Sequence, residues 1–95
     1  MAHVSMQGLE TYIDQPVRVC IHGERGEEMA PWVNKRVKKL EWCPDRTHLR
    51  IFFDDHYFFA VPLGSDVRQT EGEWSAYDKQ VGLYYVMRNE ENVHV

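Results

Sequence analysis

Ninety-five residues make a single small domain spanning 1–95, with room for one modest core, since a chain of this size buries roughly 60–65 % of the surface it exposes when unfolded. No apolar run approaches the ~20 residues of a membrane-spanning helix, and residues 1–8 lack the basic and apolar regions of a secretory signal. A cytoplasmic protein without membrane contact is therefore expected. A formal charge of −4, from fifteen acids and eleven bases, disfavours direct contact with nucleic acid or anionic lipid at long range.

That charge is unevenly distributed. Lys35, Arg36, Lys38, Lys39, Arg46 and Arg50 share one segment with only Glu41 and Asp45. Thirteen of the acids face five of the bases elsewhere, which suits a partner with a basic surface. Cys20 and Cys43 are too few for a disulfide framework, and in a reducing compartment they are expected as thiols.

Residues 1–15 are mixed, with Leu9, Tyr12 and Ile13 available for packing. Val17–His22 alternates as a strand, with Val17, Val19 and Ile21 on one face and Arg18, Cys20 and His22 on the other. Gly23-Glu24-Arg25-Gly26 breaks it. Between Met29 and Leu40 the apolar residues fit helical spacing, but Pro31 forbids a continuous helix. The spacing predicts a short helical turn near Pro31–Lys35 feeding a strand at Val37–Trp42. Cys43-Pro44-Asp45-Arg46 reads as a turn.

His48–Phe53 is the next strand, with Leu49, Ile51 and Phe53 opposite His48, Arg50 and Phe52. Asp54-Asp55 starts a tight reversal. A two-residue hairpin prefers Asn-Gly or Asp-Gly, so a loop of three or four residues including His56 competes with it. That choice sets the register and the faces taken by Phe58 and Phe59. Tyr57–Leu63 is a strand. In the polar stretch 64–78, Thr70-Glu71-Gly72-Glu73 has capping-box spacing, which predicts a helix near Thr70–Tyr77 anchored by Trp74. Leu83–Arg88 is the last strand, before a polar tail at 89–95. The fold class that follows is α+β: a twisted antiparallel meander of four to five strands with one or two short helices.

Several residue sets carry possible chemistry. Cys20, His22, Cys43 and His48 supply thiolate and imidazole ligands of the kind tetrahedral zinc takes, but their spacing matches no zinc-finger pattern. The alternative function is thus a zinc-stabilised domain or metal-dependent enzyme using these four. Asp54, Asp55 and His56 read first as a wet hairpin tip. The Lys35–Lys39 cluster reads as a solvated edge that discourages aggregation. No phosphate loop, nucleophile elbow or metalloprotease motif occurs. Phe52, Phe53, Tyr57, Phe58, Phe59, Tyr84 and Tyr85 occupy adjacent positions in sequence, so alternation sends some to each face; those outside the core either lie under the helix expected at Trp74 or form an aromatic patch open to a partner.

Val37, Leu49, Ile51, Phe53 and Asp55 begin a pattern that continues through Val61-Pro62-Leu63, Thr70 with Trp74, Gly82-Leu83-Tyr84-Tyr85 and Glu90-Glu91. Over residues 36–95 this resembles a family of short bacterial domains of unknown function that occur beside toxin–antitoxin-like partners. The resemblance implies a small α+β domain and transfers no catalytic residue. The expected function is a non-enzymatic protein-binding module that needs no cofactor: an acidic inhibitor or antitoxin-like partner occluding the basic, nucleic-acid-binding surface of a larger bacterial or phage-defence protein. Asp66, Glu71, Glu73 and Asp78 would stand in for phosphates, with Tyr84 adding contact area. Self-association through a sheet edge, giving a homodimer, is the third expectation.

Overall fold

A computed structural model describes residues 4–54 and 56–89, with the backbone alone at 28–30. Asp55 and Glu90-Glu91 lie outside the described residues. A short helix α1 (Met6–Leu9) and a 3₁₀ turn (Glu10–Tyr12) precede eight strands: β1 (Pro16–Gly23), β2 (Glu28–Arg36), β3 (Lys39–Trp42), β4 (His48–Phe52), β5 (Phe58–Pro62), β6 (Asp66–Thr70), β7 (Glu73–Asp78) and β8 (Leu83–Asn89). They form two antiparallel sheets, one of five strands in the order β2-β1-β8-β7-β6 and one of three in the order β3-β4-β5.

The chain is thus mostly antiparallel sheet with one short helix, and three expectations need correction. The single sheet of four to five strands is two sheets, because the meander read from 36–62 ends at three strands and the chain then returns to the first layer. The helix near Thr70–Tyr77 is the β6–β7 hairpin, in which Thr70 opposes Glu73 and Gly72 turns the chain at φ 81°. Thr-x-x-Glu spacing is common to a capping box and to a two-residue hairpin. The period that follows is two, since Trp74 and Ala76 are buried while Ser75 and Tyr77 are not. The helical turn near Pro31 is strand β2. It lies at a sheet edge, where a missing N–H is tolerated, and its pairing with β1 carries register shifts.

Val17 and Val19 on β1, Trp74 and Ala76 on β7 and Met87 on β8 meet Leu49, Ile51, Phe59 and Val61 of the smaller sheet in one core cluster. Phe59 meets Tyr85 edge-on across the layers at 5.5 Å. Five strands cannot be covered by three. At the β6 side Leu9 and Tyr12 join the core, and the Gln69 amide donates to the Gly8 carbonyl at 3.2 Å, so the N-terminal helix closes that flank. Among the described residues the β2 flank has no such cover. Among the described residues no helix is long and apolar enough to cross a membrane.

Candidate functional site: an apolar mouth between the sheets

The β4–β5 hairpin forms the upper lip of this open flank. Phe53 N–H donates to the Tyr57 carbonyl at 2.9 Å, so the hairpin pairing extends to Phe53 and Tyr57. The Asp54 carboxylate accepts from the backbone N–H of His56 at 2.7 Å and of Tyr57 at 2.8 Å. Those bonds, the His56 N–H foremost, hold the Asp54 carboxyl below its usual range. The register opposes Ile51 to Phe59 and Phe52 to Phe58, so Phe59 enters the core and Phe58 faces outward. This settles the face assignment that the turn chemistry left open.

Beneath the lip lies a groove of about 240 Å³ whose lining includes Val19, Ile21, Pro31, Val33, Phe53 and Phe59. Tyr57, Phe58 and Lys35 form its rim. Tyr57 is 63 % exposed, Phe58 43 % and Val33 42 %. Three large apolar side chains at one opening are an interaction signal, whereas scattered exposed ones are not. The Lys35 ammonium sits 4.6 Å from the Tyr57 ring centroid and 3.8 Å from Asp54, so one cation bridges the two lips. On the outer surface above, Phe58 packs on Phe52 at 4.9 Å, with Arg50 over Phe58 and Lys39 over Phe52.

The five residues expected to bind a partner lie elsewhere and not together. Asp66 opposes Tyr77 at the start of β6, and Tyr84 stacks between His22 at 4.9 Å and Tyr77 at 4.5 Å, all on the outer face of the larger sheet. Glu73 is on that face too, ion-paired with Arg88, and Arg88 in turn lies 4.6 Å over the Trp32 ring. Glu71 sits exposed in the β6–β7 turn. Asp78 is at the far end of β7, accepting from the Gln80 N–H at 3.1 Å. Arg18 and Arg68 interleave with the acids, so the face is mixed in charge. The Tyr77 hydroxyl on this face donates to Glu24. That bond, with burial and nearby Asp66, raises the phenol to about 12.

The proposed zinc ligands are split between the layers. Cys20 and His22 belong to β1, while Cys43 and His48 flank the β3–β4 turn. Among the described residues no three His, Cys, Asp or Glu side chains come together as a metal would need, and no disulfide joins the two cysteines. The Cys43 thiol instead donates to Asp45 at 2.7 Å and accepts the His48 N–H at 3.1 Å. Thr47 gives its one hydroxyl proton to Asp45 at 2.8 Å, so its 2.7 Å contact with His48 Nδ1 requires that nitrogen to donate. These bonds lower the Asp45 carboxyl to about 2. They tie Cys43, Asp45, Thr47 and His48 to one another within the turn, and they leave the sulfur donating its proton to a carboxylate, the opposite of an activated thiolate.

Sequence reasoning found Tyr57 and Phe58 but missed Val33, Pro31 and Lys35, because a helical reading of 29–40 hid their common strand face. The residues gave little signal, because Pro31-Trp32-Val33-Asn34-Lys35 does not alternate apolar with polar and its pairing with β1 is interrupted by register shifts. No protein-family model, curated protein or solved structure matches this chain, so function must be read from the geometry alone.

Proposed function

We propose that this protein is a non-enzymatic protein-binding module that docks through the mouth between β2 and the β4–β5 hairpin. The observation that carries the reading is the joint exposure of Val33, Tyr57 and Phe58 around a groove with apolar walls. Aromatic side chains at the rim of an apolar pocket are the usual energetic anchors of an interface, and truncating one costs on the order of 2 kcal/mol or more in affinity. Lys35 supplies orientation at one end. The His-Thr-Asp-Cys turn uses its hydrogen bonds internally, which favours binding over turnover.

A second reading keeps the expected acidic contact: the Tyr77–Tyr84 stack with Glu24 and Asp66 receives a basic segment of a partner, as an inhibitor of a nucleic-acid-binding protein would. The raised Tyr77 phenol, a sign of converging carboxylates, favours it. The Arg18, Arg68 and Arg88 side chains on the same face weaken it as a phosphate mimic.

Affinity capture with wild-type, Tyr57→Ala/Phe58→Ser and Glu24→Lys/Asp66→Lys chains separates the two. The mouth reading expects a stoichiometric partner lost by the aromatic double variant and kept by the charge-reversed one, with circular dichroism showing both variants folded. The opposite pattern transfers the interface to the acidic face. Equal capture by all three chains removes both.

A further inference from the structure

We propose that the free edge of β5 takes up an extended segment of a partner protein as a fourth strand of the smaller sheet, a segment with apolar side chains at alternate positions and carboxylates between them. This rests on the mouth being the docking surface and specifies how it is filled.

The backbone argument comes from register. Phe53 and Leu63 donate to Tyr57 and Thr47 across the β4–β5 pair, which makes the odd-numbered residues the mutually hydrogen-bonded ones in an antiparallel ladder. Phe58, Ala60 and Pro62 therefore turn their backbone groups away from β4, toward the edge. Pro62 has no N–H to lose there, and its carbonyl accepts from Ser65 at 3.0 Å. The N–H and C=O groups of Phe58 and Ala60 remain as a short template for a further strand.

The other edges are less open. Strand β2 carries Pro31 and register shifts, β6 is tied to the N-terminal helix through Gln69, and the chain before β3 is bridged at Val37 by Ile13. Edge β5 also borders the groove, to which Phe58 and Phe59 both contribute. A strand added here widens the narrower layer over the uncovered flank of the larger one. Its side chains beside Phe59 point into the apolar groove. Those beside Ala60 point outward, where a methyl group is all that separates them from Arg50, the residue opposite Ala60 on β4. Arg50 leans toward this edge, over the Phe58 ring, and an acid at that position meets it. Lys35 offers a second cation at the mouth.

The test uses the full chain with a capped hexapeptide of alternating Glu and Val, and with its Lys/Val counterpart. Strand addition expects saturable amide shifts centred on Phe58, Ala60 and Val33 by NMR, and hydrogen exchange at Phe58 and Ala60 slowed about tenfold or more at saturation. It expects the Lys/Val peptide to bind about tenfold more weakly and Arg50→Glu to reverse that preference. Ala60→Pro, which deletes the outward donor and spares the bonds to β4, should cost about tenfold in affinity. Absence of saturation up to about 1 mM, the weakest specific range, overturns the proposal. So does protection of the Phe58 and Ala60 amides in the protein alone that rises with its concentration, which means a second copy pairs there. A captured partner that depends on Tyr57 but leaves both amides exchanging freely also overturns strand addition, while the docking surface itself stands.

Discussion

Lys35 on β2 and Tyr57 on the β4–β5 hairpin face each other across the mouth, the ammonium 4.6 Å from the ring centroid, and this pair is the polar tie between the two lips. Tyr57 is largely exposed and Lys35 half-buried, and a cation–π contact in such a setting with a long ion pair contributes about 1 kcal/mol or less. Lys35→Ala should therefore lower unfolding free energy in urea by no more than that. A loss several times larger would mean that the tie holds the sheets together.

Two tryptophans separate core from edge. Trp74 is 1 % exposed and packs on β7 in the centre of the larger sheet, so Trp74→Ala should cost about 3–5 kcal/mol. Trp42, at the end of β3, is among the exposed large apolar residues, and Trp42→Ala should cost about 1 kcal/mol or less. Equilibrium denaturation of both variants checks the contrast.

Ser65, at the corner where the chain passes from β5 to β6, has a buried hydroxyl that finds no hydrogen-bond partner among the described residues. Burying an unsatisfied polar group costs roughly 1–3 kcal/mol. Ser65→Ala keeps the backbone bond to Pro62 and should leave stability unchanged or raise it by up to about 1 kcal/mol. A clear loss in thermal or urea unfolding would show that the hydroxyl is satisfied in solution.

Asp45 should titrate near 2. Its folded value lies below the ordinary 3.8, so the stabilisation from the turn is fully present above that ordinary value and is lost as pH falls through about 2. Carboxyl NMR shifts report the midpoint directly. Cys43→Ala, which removes the largest contributor, should move it upward, and Thr47→Ala should move it by less.

Tyr77 should ionise near 12 rather than 10 because its hydroxyl donates to Glu24. A raised folded value means that the contribution is complete below pH 10 and disappears as pH rises through about 12. Ultraviolet titration at the phenolate band should show this tyrosine last among the exposed ones. Glu24→Gln should bring it back toward 10.

Much of the strand content is legible from side-chain alternation. Val17-x-Val19-x-Ile21 and Leu49-x-Ile51-x-Phe53 each put one apolar residue per two positions on the core face, and β1, β4, β5 and β8 lie within a residue or so of where this pattern puts them. The errors fall where a local pattern has two physical readings. Thr70-Glu71-Gly72-Glu73 suits a helix start or a hairpin, and Met29, Val33, Val37 and Leu40 fall on a helical stripe although Pro31 and the edge make a strand. The mouth was half visible, as Tyr57 and Phe58, and half hidden, as Val33 and Lys35.

Residue types and spacing by themselves determined an antiparallel, strand-rich chain with alternating faces, a turn at Cys43–Arg46 and a surplus of aromatic residues near residue 58. Local chemistry suffices there because a strand's two faces are written into its own residues. Only the tertiary structure decided that the strands divide five against three, that β8 returns to pair with β1, and that the uncovered flank opens beside β5. Those outcomes depend on contacts between segments some seventy residues apart, where closing a long loop is set by the packing it permits and no short window of sequence holds both partners.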